Sequence, residues 1–178
     1  MHKKLSRAAL ALLIVSVILS GTYFVLRALF PRTHSDIIDK YCTEFNVDTH
    51  LAAALIKAES NFDENAVSHA NAKGLMQLTE ETFDFCNKNL NVENPDIFNP
   101  HSNIRAGVWY LSYLLNRYGG NTDNAVAAYN AGATNVDNWL SDSRYSADGK
   151  TLKEIPFGET LRHVEKISRY MAIYKFLY

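Results

Sequence analysis

From Ala8 to Leu26 the chain carries no charged residue, and the stretch ALALLIVSVILSGTYFVL is apolar almost throughout. At about 1.5 Å of rise per residue, a helix over it just spans a hydrocarbon core roughly 30 Å thick. Lys3, Lys4 and Arg7 precede the run. A basic head on an uncharged run predicts a transmembrane signal anchor within residues 1–32, its basic end cytoplasmic and residues 33–178 on the far side. The alternative is a cleaved signal peptide, which needs small residues at both positions that define the cut. Cleavage after Ser20 would place Ile18 at the upstream position and cleavage after Gly21 would place Leu19 there. Both fit poorly, so the uncleaved anchor is preferred.

The run also explains a charge balance that is misleading when averaged. The formal net charge is -1, from 18 Lys+Arg and 19 Asp+Glu, yet every acidic residue lies after position 35. Lys3, Lys4, Arg7, Arg27 and Arg32 fall in the first 32 residues, leaving 13 basic against 19 acidic residues, a net -6, in the remainder. Such a domain is a poor candidate for phosphate-driven nucleic-acid binding. With 47% hydrophobic residues it has the apolar content of one globular domain, not of a disordered segment. Cys42 and Cys86 are too few for a disulfide-dense scaffold. Outside the cytoplasm they could form one disulfide, and the alternative is two buried thiols; neither has the CxxC or His-rich setting of a redox or metal site.

Residues 33–178 read as all-α, with a small irregular loop or hairpin. Ser35 is the expected N-cap of a helix over Asp36–Phe45, and Asp48 that of one over Thr49–Ser60, whose apolar face is Leu51, Ala54, Leu55 and Ala58. Thr79 caps a helix over Glu80–Asn89. Ser102 opens a long one through Tyr118, with Ile104, Val108, Leu111 and Leu115 at helical spacing and Gly119–Gly120 ending it. Shorter helices are expected over Asn124–Ala131 and Asn135–Leu140. Ser141–Glu154 is a loop or hairpin with a turn at Asp148–Gly149. A last helix runs from Gly158 to Phe176, its apolar face made by Leu161, Val164, Ile167, Met171 and Tyr174. Short helices joined by polar loops leave clefts between them, which suits an extended ligand.

Glu59 stands out chemically. It ends a helix among Ala52, Ala53, Leu55, Ile56 and Phe62, and a helix C-terminus carries partial negative charge. Desolvation and that dipole both disfavour the carboxylate, which predicts a raised pKa and a proton available for general acid work. By position alone, a glutamate at a helix end is more often a solvated surface residue. His69, His101 and His163 match no zinc-ligand spacing and are expected to face solvent or cap helices, so no metal is predicted.

The segment ALIKAESNFDENAVSHANAKGLMQLTEETF, followed by NIRAGVWYL, AVAAYNAG and EIPFGETLRHV, closely resembles the catalytic domain of lytic transglycosylases of the soluble-lytic-transglycosylase (SLT) type, related to goose-type lysozymes. Four motifs in family order cover roughly Ser35–Tyr174. The resemblance implies a lysozyme-like helical fold acting on peptidoglycan glycan strands, with cleavage between N-acetylmuramic acid and N-acetylglucosamine. It makes Glu59 the sole catalytic acid/base and implies a 1,6-anhydro product with no cofactor. It implies substrate-binding roles for Ser60, Met76 and Gln77, with Tyr129 hydrogen-bonding the catalytic carboxylate and Asn130 binding substrate. Glu159 and Thr160 would line the cleft or fix the last helix. Asp63 and Glu64 are expected to shape the turn after Glu59. If one of them held a water, the enzyme would instead be a lysozyme-type hydrolase.

Two positions depart from the family pattern. Thr79–Glu80 stands where Met-Pro is usual, and Leu161 and His163 stand where the last motif has an Arg and a Tyr. The N-terminal run, taken with the resemblance, predicts a single-pass protein of a bacterial cell membrane with an extracytoplasmic domain, or a secreted one if the leader is cut. Its expected partners are peptidoglycan and the membrane, not nucleic acid. A third reading is a non-catalytic peptidoglycan-binding module of a secretion or conjugation apparatus.

Overall fold

The computed structural model describes residues 2–178, with side chains from residue 9 onward. It is helical, and among the described residues only isolated β-bridges occur. The elements are α1 (His2–Leu29), α2 (Ser35–Phe45), α3 (Thr49–Glu59), α4 (Glu80–Leu90), α5 (Pro100–Arg117), α6 (Thr122–Ala131), α7 (Ala133–Ser141) and α8 (Gly158–Leu177).

α3 is the centre of the domain. Leu51, Ala52, Ala53, Ala54, Leu55 and Ile56 are all buried, so the helix is enclosed on every side and not along one face as its spacing implied. α8 packs along it, with Val164, Ile167 and Tyr174 turned inward. α5 carries α2, α4 and α6 on its flanks, and α6 bridges to α7 and α8. Close approach is fixed at Gly107 of α5, where an added Cβ would stand 2.3 Å from the Met76 sulfur.

Local chemistry explains most boundaries. Asp48 accepts from the His50 N–H and Thr79 from the Thr82 N–H, as expected of N-caps. Ser35 does not cap α2; it is the first helical residue, and His34 precedes it in a left-handed conformation, φ 57°. α5 starts earlier than expected because Asn99 caps it by accepting from the His101 and Ser102 N–H groups, with Pro100 at the first helical position. Asn121 likewise starts α6 at Thr122. Within Ser141–Glu154 a single bridge joins Ser146 and Leu152 around an Asp148–Gly149 turn.

Both cysteines are buried free thiols, so the disulfide alternative does not hold. Cys42 sits among Asp39, Thr49 and Asp48, whereas Cys86 lies by Tyr110 and Tyr129; burial pushes each thiol up to about 12.

Ala9–Leu29 of α1 is 21 residues long with a mean hydropathy of 2.4 and no burial, long and apolar enough to cross a membrane. Its hydroxyl at Thr22 is satisfied by the Ile18 carbonyl, 2.9 Å away. Where α1 meets the domain, the Tyr174 hydroxyl donates to the Pro31 carbonyl (2.8 Å) and the Tyr178 hydroxyl to the Phe30 carbonyl (3.0 Å). The Arg27 guanidinium lies over the Tyr178 ring, 4.3 Å from its centroid.

Candidate active site

Glu59 is the last residue of α3, and burial of the helix around it leaves its side chain only 17% exposed. Desolvation raises its pKa to about 7, opposed by the nearby Lys166 ammonium. A carboxyl poised there can give up a proton at neutral pH and take one back, the requirement for a group acting first as acid and then as base.

The chain turns sharply after Glu59. Asn61 and Phe62 both adopt left-handed backbone, with φ 54° and 65°. For a phenylalanine that conformation costs on the order of 1–3 kcal/mol, and such strain concentrates at functional sites. The turn is held by the Ser60 hydroxyl, which donates to the Leu75 carbonyl at 2.8 Å and accepts from the Phe62 N–H. Ser60 therefore locks two backbone segments together, and its hydroxyl proton is committed to the Leu75 carbonyl. Asp63 accepts from the Asn65 N–H, shaping the turn as expected, and Glu64 is exposed.

The loop carrying Gly74–Leu75–Met76–Gln77–Leu78 is pinned from several sides. The Gln77 amide donates to the Ala66 and Gly74 carbonyls at 3.1 and 2.9 Å, which occupies both of its N–H groups. Its role is loop closure, and the substrate-donor role expected for it is not available in this arrangement. Met76 is fully buried against Gly107 and is core, not the wall of a sugar site. Asn103, which sequence reading missed, is also fully buried; its Oδ1 accepts from the Met76 N–H and its amide donates to the Lys73 and Ile97 carbonyls. Gly74 is required beside it, since a Cβ there would stand 2.3 Å from the Asn103 amide nitrogen.

Tyr129 of α6 does reach this region, but its hydroxyl donates to the Met76 carbonyl at 2.8 Å and not to the carboxylate. Glu59 is still close enough that its charge, after burial, helps raise the Tyr129 phenol well above its usual range. Asn130 is exposed and accepts from the buried Thr160 hydroxyl at 2.8 Å, which ties α6 to the first turn of α8. Glu159 is exposed on the same turn. Asn130, Glu159, Arg162, His163, Lys166 and their neighbours line an open cavity of about 520 Å³.

His163 is the main correction. Expected to face solvent or cap a helix, it is instead buried on the inner face of α8, its Nε2 3.3 Å from Glu59 Oε1. The ring is pushed down to about 4, chiefly by desolvation and then by Lys166, so it is neutral at pH 7. One turn on, the Lys166 ammonium reaches the Ala58 carbonyl at 3.4 Å, at the end of α3. Its period on α8, shared with Thr160 and Ile167, was the available signal that His163 faces inward.

A helical domain whose central helix ends in one buried, half-protonated glutamate beside an open cleft belongs to the Transglycosylase SLT domain family, whose family model matches residues 36–152. Among curated proteins, the chain is 32% identical to the soluble lytic murein transglycosylase of Salmonella typhimurium over 82% of its own length and 23% of that protein's. It is 29% identical to membrane-bound lytic murein transglycosylase C of Yersinia pestis, over 78% of this chain and 46% of the relative. Among solved structures it superposes on an inactive Glu→Gln mutant of lytic transglycosylase Slt from Pseudomonas aeruginosa with a TM-score of 0.73 and 30% identity, covering 83% of this chain and 24% of that one. The chain thus spans about a quarter of the length of the soluble relatives it matches.

Proposed function

We propose that the protein is a peptidoglycan lytic transglycosylase that cleaves the β-1,4 bond between N-acetylmuramic acid and N-acetylglucosamine with Glu59 as its one acid/base. The observation that carries this reading is the burial of Glu59, which holds its carboxyl at about 7 beside an open cavity. In the first step Glu59 protonates the glycosidic oxygen while the substrate's N-acetyl carbonyl oxygen bonds to the anomeric carbon and the leaving sugar departs. In the second, the Glu59 carboxylate takes the proton of the C6 hydroxyl, whose oxygen attacks the same carbon and displaces the carbonyl oxygen, closing a 1,6-anhydro ring. An internal hydroxyl has a proximity advantage over water. The substrate supplies the part that a second carboxylate plays in ordinary glycosidases. The matching structure of a relative inactivated by a single Glu→Gln exchange accords with one essential carboxylate.

Residues 33–178 would form the catalytic domain, with Asn130 and Glu159 at the substrate side of the cleft and Thr160 holding Asn130 from behind. Residues 1–32 would anchor it as a single pass, the domain facing the cell wall. The hydroxyls of Tyr174 and Tyr178 on Pro31 and Phe30 support a domain held close to the membrane surface, not swinging on a tether.

Digestion of purified peptidoglycan by the full chain in detergent, with mass spectrometry of the new ends, tests this reading. Anhydro ends are expected. Reducing ends would make the protein a hydrolase, and intact glycan a binding module.

A further inference from the structure

Only one nitrogen of the His163 ring lacks access to both water and a hydrogen-bond partner. Nε2 is buried and unpaired, and the nearest acidic atom is Glu59 Oε1 at 3.3 Å, close but not aligned as a hydrogen bond. An unpaired buried polar atom is costly and calls for an explanation; among the described residues the other such atom is Arg105 Nε on α5, which has no carboxyl of a candidate site beside it. The ring is held by packing, since the side chain is only 9% exposed on a helix pressed against α3.

We infer that His163 is a positioning residue for Glu59: its Nε2–H donates to Glu59 Oε1, so that the other carboxyl oxygen is the one that carries the proton to and from the substrate. This inference rests on the acid/base role of Glu59 proposed above. The Nε2–H tautomer is the only neutral form that serves both states of the carboxyl. When Glu59 is a carboxylate the N–H donates to an anion, and when it is protonated on the outer oxygen the inner one is still an acceptor. The opposite tautomer would set a nitrogen lone pair against the carboxylate in the second step. Such contacts are often loose before substrate binds and shorten in the complex.

The other charged and titratable groups around the pair are Lys166 on α8, at the Ala58 carbonyl, and Tyr129 on α6, committed to Met76. Lys57 on α3 points away, to Asn61 and the face of Phe30. Arg162 and Glu159 lie in the same cavity as His163. Of these, Lys166 is the one whose charge acts on Glu59, and its ammonium is directed at the Ala58 carbonyl.

The test compares His163→Phe and His163→Gln with the wild-type full chain in detergent. Phe removes the donor, while Gln can present an amide N–H near the place of Nε2. With Phe, kcat should fall about 10- to 100-fold with KM nearly unchanged. Its alkaline limb should move upward, because the Glu59 anion loses a donor. Gln should recover most of the rate and the original limb. Independently of any activity, 15N NMR of the His163 ring should show a protonated Nε2 from pH 6 to 8. A bare Nε2 in that spectrum, or a Phe variant with wild-type kcat and pH profile, would overturn the inference. If the wild type itself makes no anhydro ends, the reaction assigned to Glu59 fails while the NMR result still decides the contact. A Phe variant that does not fold leaves the decision to Gln and the spectrum.

Discussion

The two ends of α8 are built on opposite terms. At its C-terminal end the hydroxyls of buried Tyr174 and exposed Tyr178 both have partners, the Pro31 and Phe30 carbonyls, and Leu177 is packed against the core. At its N-terminal end the helix brings Thr160, His163 and Lys166 against α3 and α6, and there a buried nitrogen is left unpaired beside a carboxyl that burial keeps half-protonated. The C-terminal end of α8, which only holds the fold together, satisfies its hydroxyls. An end that must change protonation state stores the cost of not doing so, and the rest of the core offsets it.

The largest effect should come from the unsatisfied end. Glu59→Gln is expected to lower the rate of anhydro-end formation about 10³-fold. The same variant should melt at a higher temperature than wild type at pH 8, where ionising the buried Glu59 is costly, and equally at pH 4. A variant with near wild-type turnover would take Glu59 out of the chemistry.

At the satisfied end, Tyr174→Ala should destabilise by about 3–5 kcal/mol, read from denaturant unfolding, since it empties a fully buried aromatic site. Glycan cleavage by the fraction that remains folded should be unchanged. Loss of activity beyond loss of folded protein would show that the two ends are coupled.

Stability against pH sharpens the contrast. Glu59 rises from 4.5 to about 7 on folding, so between those values the native state holds the extra proton and stability falls as pH rises. His163 drops from 6.5 to about 4, so over that window the unfolded chain holds more protons and stability is lost as pH falls. Each effect is about 3 kcal/mol, and where the windows overlap they oppose, so the wild-type curve should be nearly level from pH 4.5 to 6.5. Glu59→Gln should expose the rising slope and His163→Phe the falling one. Thermal melts across pH 4 to 8 check both.

The smallest effect is expected for Tyr178→Phe, about 1 kcal/mol for one hydrogen bond to the Phe30 carbonyl. Cleavage of soluble glycan should not respond.

The helices were legible where their caps and periods are local. Asp48 and Thr79 marked two starts correctly, while Asn99 and Asn121 were missed because Ser102 and Asn124, a few residues on, looked like adequate openings. The motif residues were legible as a set, but several of their roles were not. Ser60, Met76, Gln77 and Tyr129 build the loop that frames the site, and the partners they choose are backbone carbonyls and core positions brought in by other segments.

An apolar N-terminal run, an all-helical domain and a glutamate at the end of an apolar helix were decided by the sequence alone, because each depends on residues within a few turns of one another. Which side chain would stand against that glutamate was decided only by the tertiary structure. Period alone could turn His163 inward, but only the docking of α8 along α3 sets its nitrogen 3.3 Å from the carboxyl and removes both from water.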